Sequence, residues 1–146
     1  MQIFRHTILI ARPREVVFDF FVNWDAAPQW RAFVRSMRPA TDAPVRAGST
    51  INVVMDIAGE EYKFDMKVIT CDRPSLWRHQ TDETDFNGFI EYRFDEESDG
   101  TRVTMTGVAK PRSLYGWLGL PLMWLGRKRS YREQLGKLER ALEAAQ

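Results

Sequence analysis

The stretch "IARPREVVFDFFVNWDAAPQWRAFV", residues 10–34, changes its periodicity twice and thereby decides the fold. It begins where an alternating segment ends. In "IFRHTILIA" the residues Phe4, His6, Ile8 and Ile10 fall on one face, with Arg5 and Thr7 on the other, the mark of a half-buried strand. Pro13 then sits at a first helical position and Glu15 in the first turn, opening a helix of about ten residues with Val16, Val17, Phe20 and Phe21 at helical spacing. Asp25 is the expected cap of a second short helix that carries Trp30 toward its end. A strand followed at once by two short helices is therefore the opening of this chain.

From Phe33 to Ala109 the period becomes two. "STINVVMDIAGEEYKFDMKVI" reads as a hairpin, with Ile51, Val53, Met55 and Ile57 on one face of its first arm, Tyr62, Phe64, Met66 and Val68 on the second, and Gly59 at the turn. Trp77 and His79 alternate with Leu76, Arg78 and Gln80; Ile90, Tyr92 and Phe94 alternate with Glu91, Arg93 and Asp95. The dipeptide Asp99-Gly100 predicts a tight turn into a strand that sets Val103 and Met105 against Arg102, Thr104 and Thr106. One apolar face per strand is the pattern of an antiparallel sheet with one wet side. After Pro111 the period returns to helical, with Tyr131, Leu135, Leu138 and Leu142 predicting a closing amphipathic helix of at least fourteen residues.

The 146 residues, free of repeats and linkers, fit a single domain, 1–146. A net charge of +1 gives no basic face, so nucleic acid is not an expected partner. Cys71 has no second cysteine to pair with, and "MQIFRHTIL" lacks the features of a signal peptide, so a cytoplasmic protein is expected. The eight acidic residues between Asp82 and Asp99 match no calcium loop and read as a solvated surface. Residues 113–130, "SLYGWLGLPLMWLGRKRS", are different: the uncharged run 113–126 is apolar yet too short to span a bilayer.

Together these patterns resemble the START-like (SRPBCC) superfamily, which includes polyketide cyclase/dehydratase-like proteins and plant carriers of hydrophobic ligands. The opening stretch is similar to that family's first strand and Pro-acidic-valine-phenylalanine helix start, followed by aspartate, proline and tryptophan. "VRAGSTINV" resembles its glycine turn into the third strand, and "LGRKRSYREQLGKLERALEA" its terminal helix. The resemblance implies an α+β helix-grip fold: a curved antiparallel sheet of six to seven strands around a long C-terminal helix, with two short helices after strand one. It also implies a cavity between sheet and helix for a small or medium hydrophobic molecule. Gly116, Gly119 and Pro121 would then interrupt the helix and form a gate.

Sidedness and that resemblance together give the expected ligand contacts: Phe4, His6, Ile8, Trp30, Val53, Met55, Tyr62, Phe64, Met66, Trp77, His79, Ile90, Tyr92 and Met105, with Trp117, Leu118, Leu122 and Leu125 facing or roofing the cavity. An ordinary packed core is the competing reading for each apolar member. His6, His79, Tyr62 and Tyr92 are the candidate acid–base groups should the protein be a cyclase or dehydratase-like enzyme rather than a carrier. Two histidines without an inner carboxylate or thiolate are too few for zinc, and no cofactor motif is present, so neither metal nor cofactor is expected. Trp117 and Trp124 beside Arg127, Lys128 and Arg129 would suit a weak, transient membrane contact, and exposed parts of residues 114–125 would allow a homodimer.

Overall fold

The computed structural model describes the chain except for residues 82–85 and 146 and, within the last helix, the side chains of residues 120, 122–124, 126 and 127. The elements run β1 (Gln2–Ile10), α1 (Arg14–Phe21), a 3-10 turn (Trp24–Ala26), α2 (Ala27–Trp30), β2 (Val34–Pro39), β3 (Thr50–Ile57), β4 (Glu60–Asp72), β5 (Leu76–Gln80), β6 (Phe86–Glu97), β7 (Gly100–Pro111) and α3 (Leu114–Ala144). Seven antiparallel strands form one sheet in the order β1-β7-β6-β5-β4-β3-β2, with α3 across one face. This is the helix-grip architecture the sequence led us to expect.

Tight turns hold the meander in register. Ala58 and Gly59 both have positive φ, 55° and 84°, the two-residue turn whose twist suits a hairpin. Asp56 Oδ1 accepts the Gly59 N–H at 3.2 Å. The pairing fixes two rows of inward side chains across the sheet: His6, Met105, Tyr92 and Trp77 in one, and Phe4, Gly107, Ile90, His79 and Val68 in the next. Gly107 is required there, because a Cβ would lie 2.2 Å from the Phe4 ring.

α1 lays Phe18 and Phe21 onto this face, with ring centroids 5.1 Å from Phe94 and 4.6 Å from Tyr92 respectively. The buried face of α1 is Val17, Phe18 and Phe21; Val16, expected on it, is exposed. The C-terminal half of α3 buries Gln134, Leu135, Leu138 and Leu142 against α1, α2 and the β1–β7 side of the sheet.

Three expectations need correction. Asp25 lies inside the 3-10 turn and caps no helix, since neither that turn nor α2 has a side-chain cap. α3 is 31 residues long and runs through Gly116, Gly119 and Pro121 without a break. A proline removes one hydrogen bond from a helix interior; leucine-rich flanks and the Ser113 cap, which accepts the Gly116 N–H at 3.1 Å, carry the helix past it. Finally, the packed end of the grip is filled. Trp30, Trp77, Tyr92 and Met105 have 0–1% accessible surface, so no space large enough for water touches them. A partly open cavity beside Phe4, Ile90 and Tyr131 measures about 20 Å³, room for roughly one water.

Candidate functional site

The inner face has a packed end and an uncovered end. At the packed end a polar cluster lies among aromatic rings. α2 ends at Arg31, whose N–H donates to the Ala27 carbonyl at 2.9 Å, and the turn folds its side chain inward. The guanidinium carbon sits 4.8 Å from the Phe21 ring centroid and 4.3 Å from that of Trp30. Arg31 is only 7% exposed, and burial lowers its pKa to about 10, which still leaves it charged at neutral pH. Its Nε and Nη2, and the neighbouring Trp30 Nε1, have no hydrogen-bond partner among the described residues.

His79 faces the same cluster from β5. Trp77 Nε1–H donates to His79 Nδ1 at 2.9 Å. Because an indole N–H can only donate, Nδ1 is an acceptor and the ring proton sits on Nε2. Burial, reinforced by the Arg31 charge, lowers the His79 pKa to about 3. At neutral pH this ring is a neutral donor, with its basic nitrogen already engaged. Burial likewise raises the Tyr92 phenol, partly opposed by Arg31. Gln134 clasps the cluster from α3: its Oε1 accepts the Ala32 N–H at 3.1 Å, and its Nε2 donates to the Tyr92 hydroxyl at 2.9 Å.

His6 is separate. Its Nε2 donates to the Lys128 carbonyl at 3.0 Å, tying β1 to α3. Burial lowers its pKa, an effect opposed by that hydrogen bond and helped by the charges of Arg132 and Lys128. Three strand spacings separate β1 from β5 in the sheet order, roughly 14 Å, so the two histidines do not act as a pair. Tyr62 stands six residues along β4 from Val68, the partner of His79, roughly 20 Å away. Its hydroxyl donates to Glu60 Oε2 at 3.1 Å. The four candidate acid–base groups therefore divide: His79 and Tyr92 stack at 6.5 Å, whereas His6 and Tyr62 lie elsewhere.

Among the expected ligand contacts, Phe4, His6, Trp30, Val53, Met66, Trp77, His79, Ile90, Tyr92 and Met105 are buried, and Ile8 and Met55 are partly so. Tyr62 and Phe64 carry on the inward alternation of Met66 and Val68 but are each 47% exposed. α3 rests on α1, α2, β1 and β7, which leaves that end of the sheet uncovered among the described residues. Trp117, Leu118 and Leu125 are exposed at 59%, 70% and 63%, not folded onto a roof, because the N-terminal half of α3 extends beyond the side chains that pack it. Leu122 and Trp124 lie outside the described side chains.

Arg31 and Gln134 were missed by sequence reasoning. Gln134 had a signal: it stands three residues after Tyr131 and four before Leu138, a polar residue on an apolar stripe. Arg31 had no local one, since an arginine after a short helix ordinarily reads as surface.

The polyketide cyclase/dehydrase and lipid transport family model matches residues 1–143. Similar solved structures include TTHA0849 from Thermus thermophilus, at 22% identity and TM-score 0.74 with 97% of each chain covered. A START superfamily protein from Mycobacterium smegmatis has 14% identity and TM-score 0.74, with 98% of each chain covered. The di-domain ARO/CYC BexL from the BE-7585A biosynthetic pathway has 16% identity and TM-score 0.74; 96% of this chain covers 49% of that one. No curated protein matches. Such identities speak for the fold, and the family model, spanning nearly the whole sequence, speaks for descent: the chain belongs to the polyketide cyclase/dehydrase and lipid transport family.

Proposed function

We propose that the protein binds a small or medium apolar molecule between the inner face of the sheet and α3. The observation that carries this reading is the uncovered apolar surface at the open end of the grip. Met55, Tyr62 and Phe64 face inward there, while Leu118 and Leu125 project from the helix. Water-exposed apolar area of this kind is stabilised by an apolar guest at ~25 cal/mol per Å² covered. A ligand lodged there needs no rearrangement of the filled end around Trp77 and Tyr92.

Native mass spectrometry of freshly purified protein, followed by solvent extraction and mass analysis, tests the reading. A stoichiometric apolar adduct supports it and names the chemical class. An empty protein whose tryptophan emission also stays unchanged against aromatic polyketones and lipids refutes it.

The cyclase or dehydratase reading draws less support, because His79 offers a fixed donor in place of a base and Tyr62 stands far from it. The exposed Leu114, Tyr115, Trp117, Leu118 and Leu125, continuous with the basic Lys128 and Arg129, favour a second role for the same helix: brief contact with an anionic membrane while ligand is exchanged. No helix among the described residues is long and apolar enough to cross one.

A further inference from the structure

A bulky side chain at positive φ is rare, because its Cβ crowds the neighbouring carbonyl oxygen. Among the described residues the chain meets positive φ with glycine at Gly48, Gly59 and Gly100, and with Ala58 in its hairpin turn. Phe33, in the turn between α2 and β2, is the exception, with φ at 62°. Its conformation is enforced from both sides. The preceding Ala32 N–H donates to Gln134 Oε1 of α3 at 3.1 Å, and the Phe33 carbonyl accepts the Asp56 N–H of β3 at 2.9 Å. Packing does not account for the ring, which is 57% exposed. Glycine would hold the same turn without strain, so the turn alone gives no reason for phenylalanine. Strain retained at an exposed aromatic points to a role for the ring outside the fold.

The position of the residue says which role. Ala32 meets α3 through Gln134, while Val34, on the other side of Phe33, pairs with Met55, itself the partner of Tyr62 two strand spacings away, roughly 10 Å. Phe33 thus stands where the helix and the uncovered end of the sheet part. We propose that Phe33 is an aromatic clamp at the mouth of the grip, its ring lying against the bound apolar molecule and slowing its escape. This rests on the reading that the protein binds such a molecule, and it adds the residue that retains it. Met55, Tyr62 and Phe64 form the sheet side of the same site, and the ring completes it from the α2–β2 turn. An apolar guest removes from water the ring surface that the fold leaves exposed, which offsets the strain carried by the empty turn.

The neutral probe N-phenylnaphthylamine is titrated by its own fluorescence against the wild type, Phe33→Gly, Phe33→Asn and Phe33→Tyr, and its release is followed by stopped flow. Glycine and asparagine suit positive φ and lack the ring, whereas tyrosine keeps it. Phe33→Gly and Phe33→Asn are expected to weaken binding about 10-fold, most of it as faster release, because the guest loses the cover of an aromatic face. Phe33→Tyr should bind within about 2-fold of the wild type. The ligand-free glycine and asparagine variants should melt within about 3 °C of the wild type, relief of strain offsetting the lost ring contacts. Unchanged affinity and release in those two variants overturn the inference and leave the binding reading standing. A loss that Phe33→Tyr shares in full, or one accompanied by a much lower melting temperature in both other variants, gives Phe33 a purely structural role and also overturns it. If the wild type does not bind the probe, the inference falls together with the reading beneath it.

Discussion

Replacing Gln134 by Leu separates the clasp from the apolar packing around it. The side chain is 6% exposed and serves two groups at once, the Ala32 N–H and the Tyr92 hydroxyl. Leucine keeps the apolar contacts of the stripe with Leu135 and Leu138 but leaves the Ala32 donor unmatched. An unsatisfied buried donor costs ~1–3 kcal/mol, and the lost bond to Tyr92 adds ~1 kcal/mol. The sum, about 2–4 kcal/mol, corresponds to a fall in melting temperature of roughly 6–14 °C for a chain of this size. Urea unfolding followed by tryptophan fluorescence gives the free energy directly, and a double-mutant cycle with Tyr92→Phe isolates the shared bond. Tyr92→Phe should cost about 1 kcal/mol alone and close to nothing in the Gln134→Leu background. Amide exchange at Ala32 should accelerate in both Gln134 variants of the cycle. A loss below ~0.5 kcal/mol, or strict additivity of the two substitutions, would refute the view that Gln134 joins α3 to α2 and the sheet.

Acidification should destabilise the protein between pH 6.5 and about 3, the interval separating the ordinary histidine value from that of buried His79. In that window the unfolded chain takes up a proton that the folded ring refuses, so stability falls by about 1 kcal/mol per pH unit as pH drops. His6, also lowered, adds in the same direction. His79→Gln, which retains an acceptor for Trp77, should flatten the slope measured by denaturant titration at several pH values. Gly107→Ala, whose new methyl would collide with the Phe4 ring, should cost ~1–3 kcal/mol by thermal melting, and adding Phe4→Leu should recover part of it. Trp117→Ser with Leu118→Ser should abolish low-salt binding to anionic vesicles in a sedimentation assay without lowering the melting temperature, since both side chains are exposed; unchanged binding would remove the membrane reading. Trp77→Ala should lower stability by ~3–5 kcal/mol, because the side chain is fully buried; a near-normal melt would mean that the ring lines free space.

Periodicity reported the elements well because each side chain in a strand or helix carries directional information. The alternation of Phe4, His6 and Ile10, the Gly59 turn and the Leu135, Leu138, Leu142 stripe all appear in the structure as read. Periodicity could not report what lies opposite a face. Tyr62 and Phe64 point inward, yet their exposure depends on where a helix more than fifty residues later comes to rest. The same limit hid Arg31, whose burial follows from the seating of α2 beneath α3, an arrangement fixed by the contact between Ala32 and Gln134 across 102 positions. At Pro121 a local rule was overruled: one missing hydrogen bond was outweighed by a long run of helix-forming neighbours.

The pairing of β1 with β7 has a consequence for how the chain acquires its structure. Gln2 faces Val108 and Ile10 faces Thr101, so the first strand has no neighbour until roughly a hundred further residues are available. The hairpins from β3 through β7 close over short separations and can assemble early, whereas β1 must hold an open row of donors and acceptors through the interval. Completion of the sheet, and with it the anchoring of α3 through the bond from His6 to Lys128, is thus expected late in folding. On the ribosome, that interval is when β1 is most vulnerable to capture by the edge of another nascent chain.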